Sequence, residues 1–186
     1  VGILALFCIG YAVTGLLIPD EETETEAATE DKTVPLFRVT EDGLTALSFT
    51  YDRDGDGTAE FWDFLRSEDG NTWVWSGDAR VPIGGSAFYT YSSTLASVTA
   101  TKVIRGVTEE QLAEFELTAP WKTVYFTDAA GGEQSFCMGA YNAYNGTYCA
   151  YINGDKTTVY LIGDDLSEAF EKPIESLVSH DDLPAF

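Results

Sequence analysis

The run Asp52-Arg53-Asp54-Gly55-Asp56-Gly57-Thr58-Ala59-Glu60 has the spacing of an oxygen-ligand loop. Calcium takes six to eight hard oxygens, and acids at alternate positions point inward together while glycine allows the sharp turn between them. Asp52, Asp54, Asp56 and Glu60 would supply carboxylates, and Thr58 its backbone carbonyl. An EF-hand needs flanking helices and a Glu at position 12. Here that position is Asp63, and both flanks read as strands. The metal expected is therefore calcium in a hairpin loop, with an affinity on the order of 10⁻⁴–10⁻³ M as in extracellular modules. A polar turn whose acids merely suit solvent is the competing reading.

Two aromatic groups could bind a ligand by stacking. Trp73 and Trp75 share one strand face, with Trp62 and Tyr51 nearby in sequence. A sugar platform would use such a row, but a sheet face packed under a helix is the expectation. Tyr141, Tyr144, Tyr148 and Tyr151 surround the turn Asn142–Gly146, where burial is harder and a binding patch is more credible. Cys137 and Cys149 each lie six residues from Ala143. A hairpin turning there would place them opposite each other on one face. A disulfide and a pair of buried thiols both remain open.

Catalytic patterns are missing from the sequence. His180 is the single imidazole, so Ser-His and Cys-His pairs have little to work with. Gly84-Gly85 and Gly131-Gly132 are turn pairs rather than phosphate loops. There is no CxxC and no Cys/His cluster, so zinc is not expected. We expect no enzyme, no catalytic residues and no cofactor other than calcium.

Charge narrows the partners. The 186 residues carry a net charge of −21. Nucleic acid is excluded as an expected partner, because phosphate binding needs basic patches. Val1–Ile18 contains no charged residue. As a helix it would span about 27 Å, close to the hydrocarbon core, so we expect a single-pass membrane anchor. The acidic stretch 19–35 reads as a self-repelling linker. Lys32 is its only base before Pro35, so nothing holds that flank in the cytoplasm and residues 36–186 are expected on the extracytoplasmic side.

The folded part reads as short strands and short helices. Strands are expected over Leu44–Tyr51, Phe61–Arg66, Thr72–Trp75 and Lys102–Arg105. A meander follows, over Lys122–Thr127, Gln134–Ala140, Thr147–Ile152 and Thr157–Ile162. Its Asn-Gly pairs suit hairpin turns that need positive φ. Phe88, Tyr91, Leu95 and Val98 recur at helical spacing behind Ser86 as N-cap. Thr108-Glu109-Glu110-Gln111 is a capping-box pattern for a helix through Phe115, and a last helix opens at Asp165 or Ser167 and runs to Phe170. The order implies the α+β class: antiparallel sheet with short helices on one face, in two strand-strand-strand-helix halves that could be a duplication.

The run Leu112–Pro120, with Thr123-Val124-Tyr125-Phe126, Gly139-Ala140-Tyr141-Asn142, Gly146-Thr147-Tyr148 and Thr158–Ile162, resembles domain of unknown function 4340. Asn71–Trp75 and Leu95–Ile104 look like its first half. The resemblance covers roughly residues 36–186. It implies a bacterial cell-envelope protein anchored by one N-terminal helix, without an established activity or active site. It also implies an accessory role beside ABC-type exporter subunits or other envelope proteins. The alternative is a calcium-assisted binding module for cell-wall or host glycans. Where the family has Gly after the Leu-Ala-Glu-Phe helix, this chain has Glu116.

Overall fold

Eight strands join in one antiparallel sheet in the order β3-β2-β1-β5-β6-β7-β8-β4. The computed structural model describes residues 35–40, 42–51, 58–70, 72–172 and 174–179. The expected anchor Val1–Ile18, most of the linker, Asp52, Asp54, Asp56 and His180 lie outside them. No helix of the described residues is long and apolar enough to cross a membrane.

The strands are β1 (Leu44–Tyr51), β2 (Glu60–Arg66), β3 (Trp73–Trp75), β4 (Ala100–Arg105), β5 (Lys122–Asp128), β6 (Gly132–Asn142), β7 (Thr147–Ile152) and β8 (Thr158–Gly163). The helices are α1 (Gly85–Ser97), α2 (Glu109–Glu114) and α3 (Asp165–Phe170), followed by a short 3₁₀ turn at Ile174–Leu177. β1 keeps the bounds read from sequence, but a bulge between Leu44 and Ala46 interrupts its alternation, so Leu44 is buried together with Leu47 and Phe49. Its partner on the far side from β2 is β5. That pairing merges the two expected halves into one sheet. β4 then crosses to the opposite edge beside β8, so the strand order does not repeat between the halves.

Helices cover both faces rather than one. On the front face Leu47, Phe49, Trp62, Phe64, Val124, Phe126, Phe136, Met138, Ala150 and Ile152 pack beneath α1 and α3. Tyr91 of α1 stacks on Phe170 of α3 at 4.7 Å between ring centroids. On the back face Cys137, Cys149, Tyr151 and Val159 pack with Leu112 of α2 and with Val107 and Leu117 beside it. The reason lies in β6 and β7, which are apolar on both faces and need a second cover. The remaining back face, on β2 and β5, leaves Phe61, Leu65 and Tyr125 exposed.

Helix ends show where local signals held. α2 carries the expected capping box: Gln111 N–H donates to Thr108 Oγ1, and Thr108 N–H to Gln111 Oε1. It ends in a Schellman-type turn, with Leu117 N–H bonding the Leu112 carbonyl at 2.8 Å. Glu116 takes the left-handed position there, at φ 56°. Gly139 lets this turn approach, since an added Cβ would overlap the Phe115 carbonyl. Ala140 N–H then docks on that carbonyl at 2.7 Å. Ser86 is not the N-cap of α1; Gly84 is, without a side-chain cap. Gly84 N–H is bonded to the Leu177 carbonyl and Ile83 bridges Trp73 and Val178, so tertiary pairing fixes the entry into the helix.

Candidate functional site

The sites read from sequence separate into core, surface and residues outside the description. Trp73 stacks on Phe88 at 3.9 Å, and Trp62 on Trp75 at 4.5 Å. This tryptophan row is thus the packed front face of β2 and β3, not an open platform. Thr58 and Glu60 are exposed, and Glu60 faces Tyr51 across the β1–β2 pair. Asp52, Asp54 and Asp56 are outside the described residues. Among the described residues no three His, Cys, Asp or Glu side chains converge as a metal set.

The tyrosines divide between the two faces. Tyr151 turns to the back face, is buried with the α2 cluster and stands opposite Cys137 across β6 and β7. Tyr141 and Tyr148 are register partners across β6 and β7, with rings 4.7 Å apart. Trp121 joins them, 5.7 Å from Tyr148. Its indole N–H donates to the Gly139 carbonyl at 3.0 Å. Tyr144 stands at the tip, 98% exposed. Trp121, Tyr141 and Tyr148 with Tyr144 form an aromatic ledge at the end of the sheet where β1 stops and β5 and β7 start.

The tip itself is braced. Gly146 N–H bonds the Asn142 carbonyl, with φ 65° at the glycine. Tyr144 N–H donates to Asn142 Oδ1, and Thr147 Oγ1 to Asn145 Oδ1 at 2.7 Å. The ledge therefore rests on a structured turn, which lowers the entropy lost on binding.

This turn and a bulge between Met138 and Tyr141 also reset the cysteine register. Cys137 faces Tyr151 on β7, and Cys149 faces Leu161 on β8. They are not opposite each other, and both are free, buried thiols. Burial pushes the Cys149 thiol up to about 11, with Glu116 adding to the shift.

Lys122 was missed by sequence reasoning. It is 4% exposed on the front face directly behind the ledge. Its Nζ donates to the Thr50 carbonyl at 2.8 Å and to the Phe170 carbonyl, at the end of α3, at 3.0 Å. It lies 5.7, 5.6 and 5.5 Å from the ring centroids of Phe49, Tyr51 and Trp121. Burial lowers its pKa to about 8, against the opposing pull of Glu171. The signal was available: Lys122 shares parity with Val124 and Phe126 and so faces the core.

Asp128, at the other end of β5, was missed too. Its carboxylate accepts from the N–H groups of Thr40, Ala130 and Gly131 at 2.8–3.0 Å and from the Thr40 hydroxyl at 3.3 Å. Burial opposes its ionisation, but those donors outweigh it and hold the pKa below its ordinary value. It ties the segment before β1 to the β5–β6 turn and is structural.

No family model matches the chain. No curated protein and no solved structure matches it either.

Proposed function

We propose that this chain is a non-catalytic, extracytoplasmic domain of the bacterial cell envelope, and that it works by docking a partner on its aromatic ledge. Residues 1–18 anchor it in the membrane, and residues 36–186 form the displayed domain. The partner is a subunit of an ABC-type exporter, to which this domain is an accessory. The observation that carries the reading is the ledge: Tyr141 is 48% exposed on a braced hairpin end, and Trp121, just before β5, is 40% exposed beside it. Tryptophan and tyrosine dominate binding hot spots because they supply rigid apolar area with a polar handle. The resemblance to domain of unknown function 4340 supports the envelope setting.

The test is a pull-down from native membranes with the full chain and with a Tyr141→Ala, Tyr144→Ala variant. An exporter permease or ATPase subunit should be recovered with the wild type and lost with the variant. Recovery of the same subunit by both would remove the ledge from the proposal.

A second reading has its own support. Tyr51 and Glu60, which bound the acidic turn, stand at the same end of the sheet as the ledge. In that reading Asp52, Asp54, Asp56, Thr58 and Glu60 hold calcium and the rings stack on a cell-wall or host glycan. Thermal melting in millimolar calcium against chelator checks the metal; an unchanged midpoint would leave the turn as a solvated loop.

A further inference from the structure

A lysine buried behind an exposed aromatic surface needs a reason, because an ammonium loses hydration there and an apolar residue would pack at less cost. Lys122 Nζ is fixed from two sides, by the Thr50 carbonyl at the end of β1 and the Phe170 carbonyl at the end of α3. Among its ring contacts, Phe49 is buried, Tyr51 is half-buried and Trp121 belongs to the ledge. The Trp121 indole N–H donates to the Gly139 carbonyl. The ring is otherwise held between the ammonium and Tyr148.

We propose that Lys122 is the positioning residue of the ledge: its ammonium, locked between β1 and α3, holds the Trp121 ring in the attitude that receives a partner, so that capture depends on that charge. The inference rests on the ledge being the docking surface. A cation over a ring is attracted by the ring quadrupole, and a neutral amine is not. The amine can still donate to two carbonyls, so loss of charge releases the rings rather than the strand end.

The Tyr51 ring of β1 lies 5.6 Å from Lys122 Nζ, and Glu171 at the end of α3, to which Ser167 donates at 2.6 Å, pulls against the effect of burial. Burial places the pKa of Lys122 at about 8, between pH 7 and 9.

The experiment follows the indole N–H correlations of the full chain in detergent between pH 7 and 9, with Trp121 assigned by its loss in Trp121→Phe. The Trp121 signal should move with a midpoint near pH 8, while that of Trp73, stacked on Phe88, stays in place. In Lys122→Arg the Trp121 signal should stay at its low-pH position throughout, because arginine keeps its charge. In Lys122→Met it should sit at the high-pH position already at pH 7. The membrane pull-down at the two pH values reads the consequence: several-fold less exporter subunit retained at pH 9 by the wild type, and equal retention by Lys122→Arg. A Trp121 signal that does not titrate, or titrates unchanged in Lys122→Arg, overturns the positioning role. Equal retention by the wild type at both pH values overturns the dependence of capture on charge. A titrating Trp121 with no exporter subunit retained at either pH keeps the positioning role and rejects the docking reading instead.

Discussion

Strand β5 buries a charge at each end, and the two ends treat it in opposite ways. Lys122 and Asp128 stand on the same front face, with Val124 and Phe126 between them. Asp128 receives four hydrogen bonds, three of them from backbone N–H groups. Lys122 finds two neutral carbonyls and three rings. Burial disfavours both charged forms, but only at Asp128 do the hydrogen bonds overcome it. The acid end is therefore a structural clamp, while the basic end carries an uncompensated desolvation cost beside the exposed ledge. Such costs gather where function requires them more than stability does.

The largest effect should come from breaking the acid end. Asp128→Ala leaves the N–H groups of Thr40, Ala130 and Gly131 without their acceptor. A loss of roughly 3 kcal/mol is expected in urea denaturation. Asp128→Asn keeps the shape and should flatten the acid limb of the stability curve. The folded pKa of Asp128 lies below its ordinary 3.8, so its contribution is present above that value and is lost as pH falls through the folded one.

Gly43→Ala tests the same end through shape alone. An added Cβ would overlap Thr40 Oγ1 and the Asp128 carboxylate. A loss of about 2 kcal/mol should appear, much reduced when combined with Asp128→Ala, because the two share one mechanism.

The basic end should show the opposite dependence on pH. Lys122 falls from its ordinary 10.5 to about 8 on folding. Between those values the unfolded chain holds a proton that the folded one does not, so stability rises with pH across that window. The gain should be on the order of 2 kcal/mol by pH 10, absent in Lys122→Met. Urea midpoints of the two proteins at pH 7, 8.5 and 10 check it. Above pH 10 the trend should reverse, since burial pushes Tyr91 up to about 12 and keeps it neutral only in the folded state.

The smallest effect calibrates strain without charge. Glu116→Gly relieves a left-handed residue at the end of α2 and should stabilise by about 1 kcal/mol, read as a small rise in melting temperature.

Much of the framework was legible because its causes are local. Alternation marks Leu44–Tyr51 as a strand, and the Thr108–Gln111 box marks the start of α2. Asn153-Gly154 takes the expected positive-φ pair, at 52° and 74°. The aromatic hairpin tip was legible in part: Tyr141, Tyr144 and Tyr148 belong to the ledge, but Tyr151 does not. Trp121 lies outside the hairpin in sequence and joins it only because β5 pairs with β6.

By itself the sequence determined most of the elements, the capping box of α2 and the Asn153-Gly154 turn, since these depend on neighbours a few positions away. It ended β5 at Thr127, one residue short, and gave neither Lys122 nor Asp128 a role. The tertiary structure alone decided that β1 pairs with β5 and β4 with β8, that α2 covers the back face, and that Cys137 faces Tyr151. Register between strands depends on bulges and on loop ends fixed by distant partners, and a one-residue shift moves every side chain to the other face. The ledge and its buried lysine come from β5, β6, β7 and the end of α3 together, so their geometry exists only once those strands have chosen one another.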